Sequence, residues 1–398
     1  MAVFKNTQIS DEYRVSSTTV LNWIENSLLK KNNLHITLVG KKYKIVDDPH
    51  NRSELEKLTE QAKIYKNKID QKKVEITEDI FKLFTKDQLI ELINNLKLNK
   101  RIPLKFSYLG KGSLEWENFT KESSKSGGYQ ADIKTPELLN KIFPVLLDRV
   151  SKFSKVNIFD LGTGNSNSMV EITKNFKNSR KLNKFIGLDI SNEMLFISEK
   201  NIEDKVPGIV YEKCLKDIEK SDFASELFLS KSTNTVNLVF FIGNTIGNME
   251  NIDRTLQNLR YSLDKDDLLI ISNKIDTIEK RSQFEPLSEK NPHSWLVKEF
   301  GIDLDLCTLE TEFNEKNSSR MGYFKMDKDY IIDFSKAGIH EKVELFKNEK
   351  IVFWYHKMSS REEIINELNL AGLELLDLTT TTDLSHLLVV CKTRNEKI

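Results

Sequence analysis

The chain has 398 residues, 39% of them hydrophobic and 30% charged, which is enough apolar material for two or three cored domains. Sixty basic and sixty acidic residues cancel to a formal net charge of zero, so no global field draws the molecule to nucleic acid or anionic lipid; such contacts need a local patch. Cys214, Cys307 and Cys391 lack metal-ligand spacing, and there is neither a signal-peptide pattern nor an apolar run of roughly 18–20 residues, so a soluble cytoplasmic protein without structural zinc is expected.

Taken in chain order, Ile9–Tyr13 predicts a short helix and Val15-Ser16-Ser17 a turn with a serine cap. Thr18–Asn26 predicts a second helix, with Val20, Leu21 and Ile24 at helical spacing. Leu34–Val39 and Lys42–Val46 then read as a two-stranded hairpin turning at Gly40. This layout, and the phrase YRVSSTTVLNWIENSLL in particular, resembles the small MerR- or excisionase-like winged helix-turn-helix modules. The resemblance covers about the first 55 residues. It implies a nucleic-acid or protein partner, with Arg14, Lys30, Lys31, Lys41 and Lys42 as candidate phosphate contacts; the same residues also suit a plain solvated face. Residues 53–100 lack Gly and Pro and predict two or three amphipathic helices, LEKLTEQAKIYKNKI, ITEDIFKLF and TKDQLIELINNL. Arg101-Ile102-Pro103 breaks that pattern.

From Pro136 the chain alternates between helix and strand. A helix over Glu137–Arg149 precedes strands at Asn157–Leu161, Phe185–Leu188, Gly208–Lys213, Val236–Phe241 and Leu268–Asn273. The tail LELLDLTTTTDLSHLLVVCKT predicts two strands joined by a polar turn. Such alternation predicts a mostly parallel, doubly wound sheet with an antiparallel edge. Between Lys274 and Met358 the rhythm stops. A helix at His293–Phe300 and strands at Thr308–Phe313, Tyr330–Phe334 and Ile351–His356 suggest an inserted α+β lobe.

Four motifs carry chemistry. VNIFDLGTGNSNS, Val156–Ser168, is a strand ending in Asp160 and a turn through Gly162 and Gly164. Glycines permit tight turning and close ligand approach, and the helix that follows offers free N–H groups. About two dozen residues on, the next strand ends in Asp189, where nucleotide-binding α/β folds place an acid for ribose hydroxyls. Asp217, in KCLKDIE, follows the third strand. FFIGNTIGNM, Phe240–Met249, makes a polar turn after the fourth. Together they predict an adenosine-containing cofactor at the strand ends.

In this order, DLGTGNS, GLDIS, KCLKDI and FIGNTIGN resemble the histidine-specific N-methyltransferases of ergothioneine biosynthesis, class I enzymes that use S-adenosylmethionine. The resemblance covers about Arg101–Ile398. It implies a class I methyltransferase sheet with an inserted substrate lobe. Asp160, Gly162 and Gly164 would bind the cofactor, the two glycines lying along its methionine part. Asp189 would bind the ribose, Asp217 and Ile218 would border the adenine, and Gly243 would line the floor. Asn248 would contact a substrate carboxylate. Tyr108, in KFSYLGKGSLEWENF, would stand near the substrate. Tyr129, in GGYQADIKTPELL, would stand between the ligands as the catalytic candidate, positioning an amine and accepting its proton.

Two departures bear on specificity. The family carries lysine where this chain has Ser168. It reads the imidazole of histidine with a Glu and a Ser two apart on a late strand, where this chain has Trp354 and His356. An indole only donates one hydrogen bond, so the expected substrate is an amino-acid-like amine other than histidine. Each site residue also has a plainer reading: a helix cap for Asp160, a turn residue for Asn248, core aromatics for Tyr108, Tyr129 and Trp354, a surface histidine for His356.

The expected domains are therefore a winged module at 1–52, a helical linker at 53–100, a substrate lobe from 101–135 and 274–358, and a cofactor-binding core from 136–273 and 359–398. The expected function is methyl transfer to a small amine, tethered to a DNA- or protein-binding module, with no metal and no membrane. The alternative is a DNA-binding regulator whose methyltransferase-like domain senses a small molecule.

Overall fold

A computed structural model describes residues 2–15, 17–40, 42–69, 72–75, 80, 82–125, 130–275, 292–302 and 307–394. The chain divides into two compact units, Met1–Lys73 and Val74–Ile398.

In the first unit, α1 (Asn6–Glu12) and α2 (Ser17–Leu28) precede a hairpin of β1 (Ile36–Val39) and β2 (Lys42–Ile45), then α3 (Pro49–Ile69). The hairpin is antiparallel, with Val39 opposite Lys42 and Gly40 at a positive φ of 65° between them. Val20, Trp23 and Ile24 recur on one side of α2 and meet Phe4, Ile9, Leu34, Ile45 and Leu55 in a common core. Buried Asn51 ties the pieces together. Its Nδ2 donates to the carbonyls of His35 and Val46, each at 2.8 Å, and its Oδ1 accepts from His35 N–H at 2.7 Å. Helix α3 starts at Pro49, before the expected linker boundary at 53, because Leu55 belongs to this core. Arg14, Lys30, Lys31 and Lys42 are exposed; Lys41 lies outside the described residues.

The second unit begins its described helices with α4 (Lys86–Asn99), closed at its start by a capping box between Thr85 and Gln88. Leu89, Leu92, Ile93 and Leu96 of α4 pack into the lobe's core with Phe106, Phe300, Phe324, Tyr330 and Phe353. The expected helix over ITEDIFKLF falls largely outside the described residues; its Ile80 and Phe84 are buried in the same core.

The larger sheet has seven strands: β3 (Lys155–Leu161), β4 (Leu182–Asp189), β5 (Tyr211–Leu215), β6 (Thr235–Phe241), β7 (Leu268–Lys274), β13 (Leu373–Thr380) and β14 (His386–Thr393). Their spatial order is β13-β14-β7-β6-β3-β4-β5. The five central and outer strands from β7 to β5 run parallel, and β14 and β13 are antiparallel. Alternate residues of β3 supply both faces: Val156 and Ile158 face α6 (Gln130–Arg149) and α7 (Val170–Asn178), while Phe159 and Leu161 join the opposite core. Helices α8 (Asn192–Lys205), α9 (Ala224–Ser230), α10 (Ile252–Ser262) and α12 (Arg361–Leu370) complete the layers around the sheet. Helix α6 begins before Pro136, earlier than expected. Leu138, Leu139, Ile142 and Leu146 anchor it on the sheet despite two internal prolines.

The lobe contributes α5 (Gly112–Lys125), α11 (Trp295–Glu299) and an antiparallel sheet of β8 (Cys307–Asn314), β9 (Ser319–Met326) and β12 (Lys350–Lys357), with β9 central. A second hairpin pairs β10 (Tyr330–Asp333) with β11 (Lys342–Leu345). Strands β9 and β11 were not expected. In β9 a register break against β12 at Gly322/Tyr323 hides the period-two pattern. No described helix is long and apolar enough to cross a membrane.

Candidate active site

The chain passes from β3 outward to β4 and β5, then returns to the other side of β3 with β6. Ligands of open α/β sheets bind at the strand ends beside such a reversal. Here two turns meet. After β3 the backbone takes positive φ at Gly162 (61°) and Gly164 (51°), and after β6 at Gly243 (75°). A Cβ on Gly162 would come within 2.9 Å of Thr245 Cγ2, so the first turn needs glycine to lie against the second. Cβ positions on Gly164 and Gly243 have no atom nearer than 3.9 Å and open onto a cavity.

That cavity encloses about 830 Å³ counting its open mouth. Asp189, Asp217, Ile218, Gly162, Gly164, Gly243, Tyr108 and Asn248 all line it. Asp189 ends β4. One carboxylate oxygen accepts from Gly164 N–H (3.1 Å) and the other from Ser191 N–H (2.9 Å). Burial pushes its pKa up to about 6, against the lowering effect of those N–H groups. Asp160 is fully enclosed. Its Oδ2 accepts from the hydroxyls of Thr163 (2.7 Å) and Ser166 (2.8 Å). Burial, with Asp189 nearby, lifts it to about 7. It braces the glycine turn from behind and lines a polar cleft adjoining the cavity.

At the far end Asp217 pairs with Lys105 at 2.8 Å. Lys105 also meets Glu91 at 2.8 Å and Glu219 at 3.5 Å. Burial alone would lower the Lys105 pKa, but the facing carboxylates outweigh it and keep the ammonium charged. Lys105 and Tyr108 share a single helical turn, Leu104–Tyr108. The Tyr108 ring stands edge-on to Trp116 (5.5 Å) and His293 (5.4 Å). Burial pushes His293 down to about 3, so it is neutral, and its Nδ1 lies 2.7 Å from Ser107 Oγ. Ser107 Oγ itself donates to the Leu104 carbonyl, so the imidazole is the donor.

Asn248 joins the core to the lobe. Its Oδ1 lies 2.9 Å from His356 Nδ1. Burial drives the His356 pKa down to about 3, so the neutral ring donates Nδ1–H to the amide oxygen. Gly247 makes room: a Cβ there would stand 2.4 Å from His356 Cε1 and 2.7 Å from the Lys357 carbonyl. His356 therefore does not line the cavity; it touches a residue that does. Trp354 does not line it either. Its indole is half-buried against the lobe core, with the Arg320 guanidinium 5.5 Å from the ring. Tyr129 lies outside the described residues.

A family model described as a histidine-specific, S-adenosylmethionine-dependent methyltransferase matches residues 85–286, half of the chain. The chain belongs to this family. It is a methyltransferase, and its cofactor is S-adenosylmethionine. No curated protein matches it in sequence. Among solved structures it is similar to an S-adenosylmethionine-dependent methyltransferase from Clostridium acetobutylicum (13% identity, 70% of this chain and 99% of that one, TM-score 0.42). It is also similar to the CcbJ methyltransferase of Streptomyces caelestis (12% identity, 70% and 96%, TM-score 0.39). A third is a magnesium protoporphyrin IX methyltransferase from Synechocystis (9% identity, 73% and 97%, TM-score 0.38).

The methyltransferase's residues fit such a cofactor. Glycine-lined backbone leaves open space where a Cβ could project, and an acid capable of holding a diol closes one side. Lys105, Trp116, Met194, Lys216 and Thr245 also line the cavity and were not singled out in the sequence. Lys105, Trp116, Lys216 and Thr245 fall inside the quoted motifs but were passed over for their neighbours there, and Met194 lies outside every motif. Among the described residues, no group of three or more His, Cys, Asp or Glu is placed to hold a metal ion.

Proposed function

We propose that the enzyme methylates the nitrogen of a small amino-acid-like amine other than histidine. The observation that carries the cofactor placement is the Asp189 carboxylate, anchored by two backbone N–H groups while still lining the glycine-walled cavity. In this reading Asp189 accepts from the ribose hydroxyls. Asp217 and Ile218 border the adenine, Gly162, Gly164 and Gly243 flank the methionine portion, and Asp160 holds the turn in shape. When bound, S-adenosylmethionine supplies a methyl group already activated on a sulfonium. The protein's task is alignment and exclusion of water. Tyr108 walls the amine's approach, Asn248 orients the substrate, and Tyr129 positions the nitrogen and takes its proton. Residues 101–135 with 274–358 form the substrate lobe, and 136–273 with 359–398 the core.

Two features support a substrate other than histidine. His356 is already committed to Asn248 and neutral, so it offers no charge to an imidazole. Trp354, where the family has an acid, faces the lobe core. Calorimetry tests the cofactor placement: Asp189→Ala is expected to weaken S-adenosylmethionine binding at least tenfold, as loss of charge-assisted hydrogen bonds implies. Unchanged affinity would refute it.

The first unit, in this proposal, is a winged helix-turn-helix module that docks a partner. Between Arg14 and Lys30 the chain has no Lys or Arg, and Leu21, Leu28 and Leu29 are exposed. That favours a protein over a duplex. The second reading, a DNA-binding regulator with a sensing domain, rests on the same helix-helix-hairpin order. Mass spectrometry of candidate amines separates the two: cofactor binding without any methylated product, together with salt-sensitive duplex binding, would favour the regulator.

A further inference from the structure

The polar cleft beside the glycine turn shares Trp116, Gly162, Gly164, Gly243 and Thr245 with the main cavity, so the two are continuous. Asp189 and Asp217 mark the nucleoside side. The cleft is therefore where the cofactor's amino-acid end would lie, an assignment that rests on the cofactor placement above. An amino-acid end carries an ammonium and a carboxylate. Among the described residues neither Lys nor Arg lines the cleft, and its ionisable side chains are Asp132 and Asp160.

The two acids differ. Asp160 is enclosed and occupied by Thr163 and Ser166. Asp132 sits in the first turn of α6 at the cleft's rim, with one oxygen accepting from Ser168 Oγ at 3.1 Å. Among the described residues it has no ion pair and its second oxygen has no hydrogen-bond partner. Lys205 acts on it only from a distance, since its Nζ is held by Asn167 Oδ1 at 2.5 Å. Burial raises the Asp132 pKa, and a partly desolvated carboxylate of this kind gains from a cationic partner. On the other side, a ligand carboxylate entering here would meet hydroxyls, the Asn165 and Asn167 amides and two acids, but no cationic side chain among the described residues.

We propose that Asp132 receives the ammonium of the cofactor's methionine end, so that the enzyme grips that end by its amino group and has little use for its carboxylate. Three probes test this by calorimetry: S-adenosylmethionine, its decarboxylated analogue, and 5′-methylthioadenosine, which lacks the amino-acid end. The wild type is expected to bind the first two within about threefold of each other. Asp132→Asn is expected to weaken both about tenfold or more, the size of a lost charge-assisted contact, and to leave 5′-methylthioadenosine unchanged. Ser168→Lys, which sets a cation beside Asp132, is expected to make the decarboxylated analogue the weaker of the pair. Undiminished S-adenosylmethionine binding by Asp132→Asn would overturn the proposal alone, as would equal weakening of all three probes. A wild type that discriminates more than tenfold against the decarboxylated analogue would overturn it too. Failure of the wild type to bind any probe would overturn the cofactor placement itself and this proposal with it.

Discussion

Two buried acids with raised pKa values give the site a pH signature. In the proposed cofactor placement Asp189, near 6, has to be ionised to accept from two ribose hydroxyls. Cofactor affinity is therefore expected to fall as pH drops through 6, by about tenfold between pH 7.5 and pH 5, since one unit below a pKa leaves about a tenth ionised. Titration calorimetry at those two values checks it. Stability of the ligand-free protein runs the other way. The folded pKa values of Asp160 and Asp189 lie above the unfolded value of about 3.9, so the folded state binds protons more firmly. Their contribution is full below about pH 4 and is lost as pH rises through 6 and 7. Asp189 and the glycine pair were legible in the sequence because strand, turn and acid are local in the chain. Lys105, Trp116 and Asp132 were not, because their placement depends on segments distant in sequence folding onto the strand ends.

At the scale of elements, the contact between the Thr245–Asn248 turn and β12 decides whether the lobe and the core share a working geometry. Gly247 lets the His356 ring approach, and His356 in turn fixes the amide of Asn248. Gly247→Ala is expected to push His356 aside and to cost about 1–3 kcal/mol of stability, as overpacking does. It should lower kcat/KM for the methyl-accepting substrate more than it weakens cofactor binding, and a thermal melt with paired kinetics measures both effects. The seven-stranded sheet was largely legible, since β3, β6 and β7 are apolar runs bounded by turns. The lobe was less so. In β9, Gly322 and the break beside it disrupt alternation, and β11 is a short hairpin arm with charged Lys342 and Glu344 on its outer face.

For the molecule as a whole, every described residue lining the main cavity belongs to the second unit. Trp23, in the core of the first unit, provides a clean separation. Trp23→Ala is expected to destabilise that unit by about 3–5 kcal/mol and to leave the calorimetric affinity for S-adenosylmethionine unchanged; a shift of that affinity would show the units to be coupled. Within the second unit the two parts are interleaved. The lobe takes chain from before β3 and again from between β7 and β14, while β7 pairs with β14 across that excursion, Lys274 opposite His386. The sheet thus cannot close until the polypeptide has travelled out and come back. Refolding should be correspondingly slow. Evolution, or an engineer, also cannot exchange the lobe as one cassette: a graft needs matched cuts at two remote places, and drift at either would have to be answered at the other.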